Sequence, residues 1–103
     1  MTDEQENPSA RNRTFEWDEN KRLLNNAKHG IDFTEATDVF SDPAAYTFAS
    51  KQSLVEQRYV TVGSAKGVLM AVVFTIRGMV VRIISARAAR RGERQRYGSE
   101  DKN

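Results

Sequence analysis

The stretch VVRIISARAARRGERQRY, Val80 to Tyr97, joins a β-branched apolar run to a series of arginines. Val80 to Ala86 follows a turn at Gly78 and Met79 and has the composition of a central strand covered on both faces. From Ala88 onward the β-branched residues stop and helix formers take over, which predicts a C-terminal helix. Arg87, Arg90 or Arg91, Arg94 and Tyr97 recur at intervals of three and four, so one helix face would stack guanidinium groups and a phenol. Guanidinium forks bind phosphate bidentately, which makes this face a candidate phosphate-reading surface; a solvated terminal helix is the plainer alternative. Arg82 differs in kind. A charge inside an apolar strand needs a buried partner or a functional cleft. Arg82 and Arg87 are five residues apart, so in a regular strand they face opposite sides of the sheet. Both serve one site only if the chain bends or turns helical near Ala86.

Working back toward the N-terminus, Val68 to Ile76 pairs with Val80 to Arg87 through the Arg77-Gly78 turn. Arg58 to Gly63 precedes it across a turn at Ser64 to Gly67, and Tyr46 to Ala49 is a further short strand. These segments read as an antiparallel meander, with Lys51 to Gln57 a polar connection. Phe15 and Trp17 alternate with polar neighbours and suggest one more short strand. Asp18 is placed to cap a helix from Glu19 to His29, with Leu24, Ala27 and Ile31 on the core side and Gly30 as its stop. Asp32 and Glu35 form the frame of a capping box for a second helix to about Phe40, with Phe33, Ala36 and Phe40 inward. Ser41-Asp42-Pro43 ends it. The expectation is an α+β fold: a small antiparallel sheet of four to five strands, two N-terminal helices and a C-terminal helix. A single domain over residues 14–98 lies between a flexible arm, residues 1–13, and a flexible tail, residues 99–103.

At 103 residues the chain can bury one modest core. Its net charge of +2 hides an asymmetry: residues 1–80 carry nine Lys/Arg against eleven Asp/Glu, and residues 81–103 carry seven against three. Basic charge gathered at one end suits nucleic acid or an acidic partner. No apolar run is long enough to span a membrane and the N-terminus does not read as a signal peptide. The absence of cysteine removes thiol catalysis and thiolate metal sites, and fits a cytoplasmic protein.

One histidine, no cysteine and no HExxH or Asp-rich loop argue against a metal, and no glycine-rich loop opens onto a helix to cradle a nucleotide, so no cofactor is expected. What remains is cationic and proton-transferring: Lys21, Lys28, His29, Glu56, Arg58, Arg82, Arg87, Arg90, Arg91, Arg94 and Tyr97. That inventory suits metal-free RNA cleavage, in which the substrate's 2′-hydroxyl attacks the adjacent phosphate. The protein then has to move protons and stabilise a phosphorane-like transition state. Glu56, His29 or Tyr97 are the candidate proton carriers, and Arg58, Arg82 and Arg87 the candidate charge holders. Each has a structural alternative. Glu56 and Arg58 can make a plain ion pair, His29 can cap its helix dipole, Tyr97 can pack the last helix, and Glu93 can pair with Arg90 or Arg96.

Phe15-Glu16-Trp17-Asp18, Asn25 with Lys28-His29-Gly30, Phe33-Thr34-Glu35-Ala36 and Phe40 resemble the opening of the BrnT toxins. Glu56-Gln57-Arg58, Gly63, Arg82 to Ala88, Glu93 and Tyr97 resemble the remainder, so the likeness covers Phe15 to Tyr97. The resemblance implies a RelE-like fold and a ribonuclease toxin of a type II toxin–antitoxin module. Its partners would be RNA and a small DNA-binding, BrnA-like antitoxin, in a hetero-oligomer. It also implies that Arg82, Arg87 and Tyr97 lie where such toxins gather catalytic and RNA-contacting side chains, and draws attention to Lys28, His29, Glu56 and Arg58. A non-catalytic RNA- or ribosome-binding module, or a degenerate toxin that serves only as the antitoxin's partner in operon autoregulation, shares the same basic face.

Overall fold

In the computed structural model, residues 14–50 and 55–100 are described. The expected arm before residue 14, the segment Lys51 to Leu54 and the last tail residues lie outside them. The elements are β1 (Thr14–Glu16), α1 (Glu19–His29), α2 (Phe33–Ala36), a 3-10 helix (Thr37–Ser41), β2 (Tyr46–Ala49), β3 (Tyr59–Ala65), β4 (Val68–Arg77), β5 (Val80–Ala88) and α3 (Arg91–Glu100). The strands form one sheet in the order β1-β5-β4-β3-β2. β2 to β5 are the expected antiparallel meander, but β1 runs parallel to β5, pairing Thr14 with Val80 and Glu16 with Arg82. The sheet is therefore mixed, and α1 is part of the crossover that a parallel pair requires.

α1 has the bounds its caps dictate. Asp18 accepts hydrogen bonds from the Asn20 and Lys21 N–H groups, and Gly30 closes the helix in the left-handed region at φ 72°. Its inward face is not the expected one. Leu24 is 69% exposed and Ala27 is exposed, whereas Ile31 is buried as expected. The residue α1 buries is Asn25, whose side-chain amide donates to Ile31 O (3.0 Å) and Ala86 O (2.9 Å) and accepts from Ala86 N (3.1 Å). β1 accompanies β5 only as far as Arg82, so the edge of β5 beyond it lacks a strand partner. Asn25 supplies there the donor and acceptor a neighbouring strand would offer. The second helix is α-helical only over Phe33–Ala36 and then tightens into the 3-10 turn. Phe33, Ala36 and Phe40 do enter the core.

The helices before β2 cover one face of the sheet. That core packs Phe33, Val39 and Phe40 onto Val72, Phe74, Val81, Ile83 and Ala86, with Phe40 edge-on to Phe74 at 5.0 Å. A close approach is built in at Gly63, where a Cβ would fall 2.9 Å from Ala45 Cβ and 3.0 Å from Val39 Cγ1. The opposite face carries a smaller cluster of Val60, Val62, Ala71 and Ala89, flanked by Tyr46, Phe48 and Val73. The N-terminal part of α3 docks at its β2 end through Tyr46, whose hydroxyl donates to Glu93 O (2.9 Å).

Candidate active site

Whether Arg82 and Arg87 meet depends on one residue. Across β4 and β5, Val73 pairs with Ser85 but Phe74 pairs with Ile83, leaving Ile84 without an opposite number. This β-bulge inserts one residue and reverses the alternation. Val81, Ile83 and Ala86 consequently point into the same core although Ile83 and Ala86 are three apart. Arg82 and Arg87, opposite Thr75 and Ala71, share the other face. The expected bend near Ala86 is in fact a bulge two residues earlier, and β5 continues as strand to Ala88. Arg87 is thus a strand residue, not the first of a helical series, and α3 begins only at Arg91.

Register places further groups on this face. Arg58, one residue before β3, extends the alternation of Val60 and Val62 and so stands in a row with Thr75, Arg82 and Glu16. Arg58 lies two strands from Arg82, or about 10 Å, and Arg87 is about 13 Å along β5 from Arg82. The backbone that presents Arg58 is tied down. Thr75 donates its hydroxyl to Gln57 O (2.8 Å), and Ser50 N donates to Arg58 O (2.8 Å). The Arg58 side chain is exposed and has no ion-pair partner among the described residues.

The other arginines of this face, Arg77, Arg82 and Arg87, are matched. Arg82 Nη1 donates to Glu16 Oε2 at 2.9 Å, which is the partner its strand position demanded. Arg77 reaches the Glu56 carboxylate at 3.3 Å, so Glu56 pairs with Arg77 rather than Arg58. Arg87 holds Glu93 through two parallel bonds of 2.8 and 3.0 Å, in place of the expected Glu93 pairs with Arg90 or Arg96. Glu93 Oε1 also accepts from Arg90 N (2.8 Å), the capping interaction that starts α3. The Arg87 guanidinium, aided by that N–H and opposed by burial, holds the Glu93 carboxyl below the usual carboxylate range.

α3 is otherwise polar and is fastened by similar contacts. Arg96 lies over the Tyr46 ring at 4.3 Å. Tyr97 donates its hydroxyl to Asp42 Oδ2 (2.7 Å), and Asp42 also accepts from Ser64 N (2.8 Å) and Ala44 N (3.0 Å). Burial pushes the Asp42 carboxyl up, but the Ser64 and Ala44 N–H groups and the Tyr97 hydroxyl together hold it below its ordinary value. The Glu93 fastening gives a testable sign. Its carboxyl has a depressed folded-state value, so its contribution is complete above the unfolded value of about 4.3 and is lost as pH falls through the folded one. Arg87→Ala should lower stability by about 2 kcal/mol near neutral pH, because both partners are mostly buried. In thermal melts, the gap between Arg87→Ala and the parent protein should close as pH is taken from about 7 to about 3. A gap that stays constant over that range contradicts the role given to the pair.

The sequence-derived residues therefore separate into three groups. Arg58, Arg82 and Arg87 share one face, with Glu56 at its rim. Lys21, Lys28 and His29 are exposed on α1, a separate element from the strand β5 that carries Arg82 and Arg87. Arg90, just before α3, and Arg91 and Arg94 on it are exposed, and Tyr97 is engaged with Asp42. Glu16, Arg77 and Glu93 also belong to the arginine face. Glu16 escaped sequence reasoning because its place is set by the parallel β1–β5 pairing. Among the described residues, no three His, Cys, Asp or Glu side chains converge as a metal site would require, and no helix is long and apolar enough to cross a membrane.

A family model described as the ribonuclease toxin, BrnT, of type II toxin–antitoxin systems matches residues 17–93. No individually curated protein matches the chain.

Proposed function

The chain belongs to the BrnT family of ribonuclease toxins of type II toxin–antitoxin systems, and from that premise we propose a metal-independent endoribonuclease that uses the substrate's own 2′-hydroxyl as nucleophile. The observation that carries this reading is the row of Arg58, just before β3, Thr75 on β4 and Arg82 on β5, with Arg87 farther along the same face. A phosphodiester laid over that row meets guanidinium groups from separate strands. Donors held in place by a sheet stabilise developing phosphorane charge without reorganising when it forms.

Arg58 and Arg82 hold the scissile phosphate in this reading. Arg87, bound to Glu93, supports the floor of the site and the start of α3. Glu56 at the rim is one candidate proton carrier, with His29 and Tyr97 as others if RNA draws their elements together. Lys21, Lys28, Arg90, Arg91 and Arg94 grip the flanking backbone. They add affinity and salt dependence, not rate.

A type II module includes an antitoxin, and the arginine face is the surface such a partner has reason to cover. We take that partner to be a BrnA-like, DNA-binding protein whose acidic or amphipathic segment occupies the face and excludes RNA. The mixed five-stranded sheet with helices on one face and α3 on the other supports a RelE-like fold, and an RNA target supports action on translation in the cytoplasm.

The test is chemical. Purified protein should cleave RNA in excess EDTA and leave 2′,3′-cyclic phosphate and 5′-hydroxyl ends. Products with 3′-hydroxyl ends, or activity that vanishes in EDTA and returns with magnesium, would sink the mechanism.

A further inference from the structure

We infer that Glu16, at the end of β1, is the group that takes the proton from the attacking 2′-hydroxyl. The inference rests on the ribonuclease reading above and names a residue that the reading leaves open. Several carboxylates adjoin the arginine face, and their occupancy differs. Glu93 is saturated: Arg87 takes both oxygens and Arg90 N shares one of them. Glu56 faces Arg77 with both oxygens, at 3.4 and 3.3 Å, one row nearer the β4–β5 turn. Glu16 lies in the row of Arg58 and Arg82, accepts a single bond from Arg82 through Oε2, and leaves Oε1 without a partner among the described residues. Its side chain is 42% exposed. A carboxylate oxygen that is solvent-accessible, beside a phosphate-holding arginine and fixed through its other oxygen, has the placement a general base needs.

The other proton carriers lack that placement. The Tyr97 hydroxyl is given to Asp42, and His29 stands at the exposed end of α1. In the step itself, the 2′-oxygen closes on phosphorus while its proton passes to Glu16. The bond from phosphorus to the 5′-oxygen breaks, its electron pair leaves with that oxygen, and water supplies the proton the oxygen then needs. Arg82 touches both participants, orienting the carboxylate and holding the phosphate.

Single-turnover cleavage by the full chain at saturating RNA tests this with Glu16→Gln, which keeps the size of the side chain and an acceptor for Arg82. The rate should fall about a hundred- to ten-thousand-fold, the usual range for a lost general base, with RNA affinity unchanged or slightly tighter. If Glu16 only orients Arg82, its removal should have no effect once Arg82 is gone. Glu16→Gln should therefore still cost tenfold or more, by this order-of-magnitude estimate, in an Arg82→Ala background. Wild-type rates for Glu16→Gln, or no further loss in that background, overturn the assignment. Cyclic-phosphate products from the parent protein alongside such a result would leave the ribonuclease mechanism standing and remove Glu16 alone. Products with 3′-hydroxyl ends would remove both.

Discussion

Asn25→Ala is expected to be the most destabilising single side-chain truncation on α1, costing about 3–5 kcal/mol. The asparagine is 7% exposed and makes three hydrogen bonds, two of them to the backbone of Ala86. Alanine leaves the Ala86 N–H and C=O and the Ile31 C=O unsatisfied in a buried place, and each such group costs on the order of 1–3 kcal/mol. For a domain of this size the melting temperature should drop by roughly 15–25 °C. Asn25→Asp should be nearly as damaging, since it keeps the acceptor but loses the donor and buries a charge. Leu24→Ala, by contrast, truncates a side chain that is 69% exposed and should stay within about 0.5 kcal/mol of the parent. Similar melting temperatures for the Asn25 and Leu24 variants would mean that Asn25 does not complete the edge of β5.

The second large effect concerns rate. Arg58→Ala should slow single-turnover RNA cleavage by about a hundred- to a thousand-fold, roughly 3–4 kcal/mol of lost transition-state stabilisation. Its side chain is exposed and unpaired among the described residues, so no carboxylate is stranded by its removal. The melting temperature should hardly move, which makes the kinetic result readable without correction for folding. Arg87→Ala is less direct, because it also frees the Glu93 carboxylate that starts α3. Arg94→Ala on α3 should weaken binding and flatten its salt dependence while bound RNA is cut at the usual rate. Arg58→Ala that binds weakly yet cleaves bound RNA at full speed would make Arg58 a gripping residue only.

Much of the fold is legible because local chemistry agrees with the tertiary result. The Asp18 and Gly30 caps bound α1 correctly, and alternation with turn residues locates β2 to β5. Other features depend on contacts distant in sequence. Three residues of β1 contain no periodicity that could name β5 as a parallel neighbour. Leu24 looks like a core residue on a helix, yet the sheet edge requires a paired donor and acceptor, which Asn25 supplies. In RIISAR, apolar residues fill both sides of the strand, so nothing local marks Ile84 as the extra one. Ala86, Ala88 and Ala89 tolerate helix, which is why Arg87 reads as the start of the helical arginine series although β5 runs on to Ala88. The arginines of the candidate site are visible as residues, but their common face and Glu16 beside them emerge only from the bulge and the parallel pairing.

That bulge makes β5 a strand in which spacing matters as much as composition. Most exchanges of one apolar residue for another at Ile84 preserve the count, and with it the side to which every neighbour points. Taking Ile84 into the ladder, which abolishes the bulge, would shift the phase of the strand. With Ala86 onward held in register, Val81 and Ile83 would turn outward and Arg82 would be driven into the core. Deletion of Ile84, by contrast, would leave Ile83 and Ser85 facing as they do. For this segment, pairing one residue more is a graver change than exchanging a side chain, because it moves the boundary between interior and working surface along half a strand.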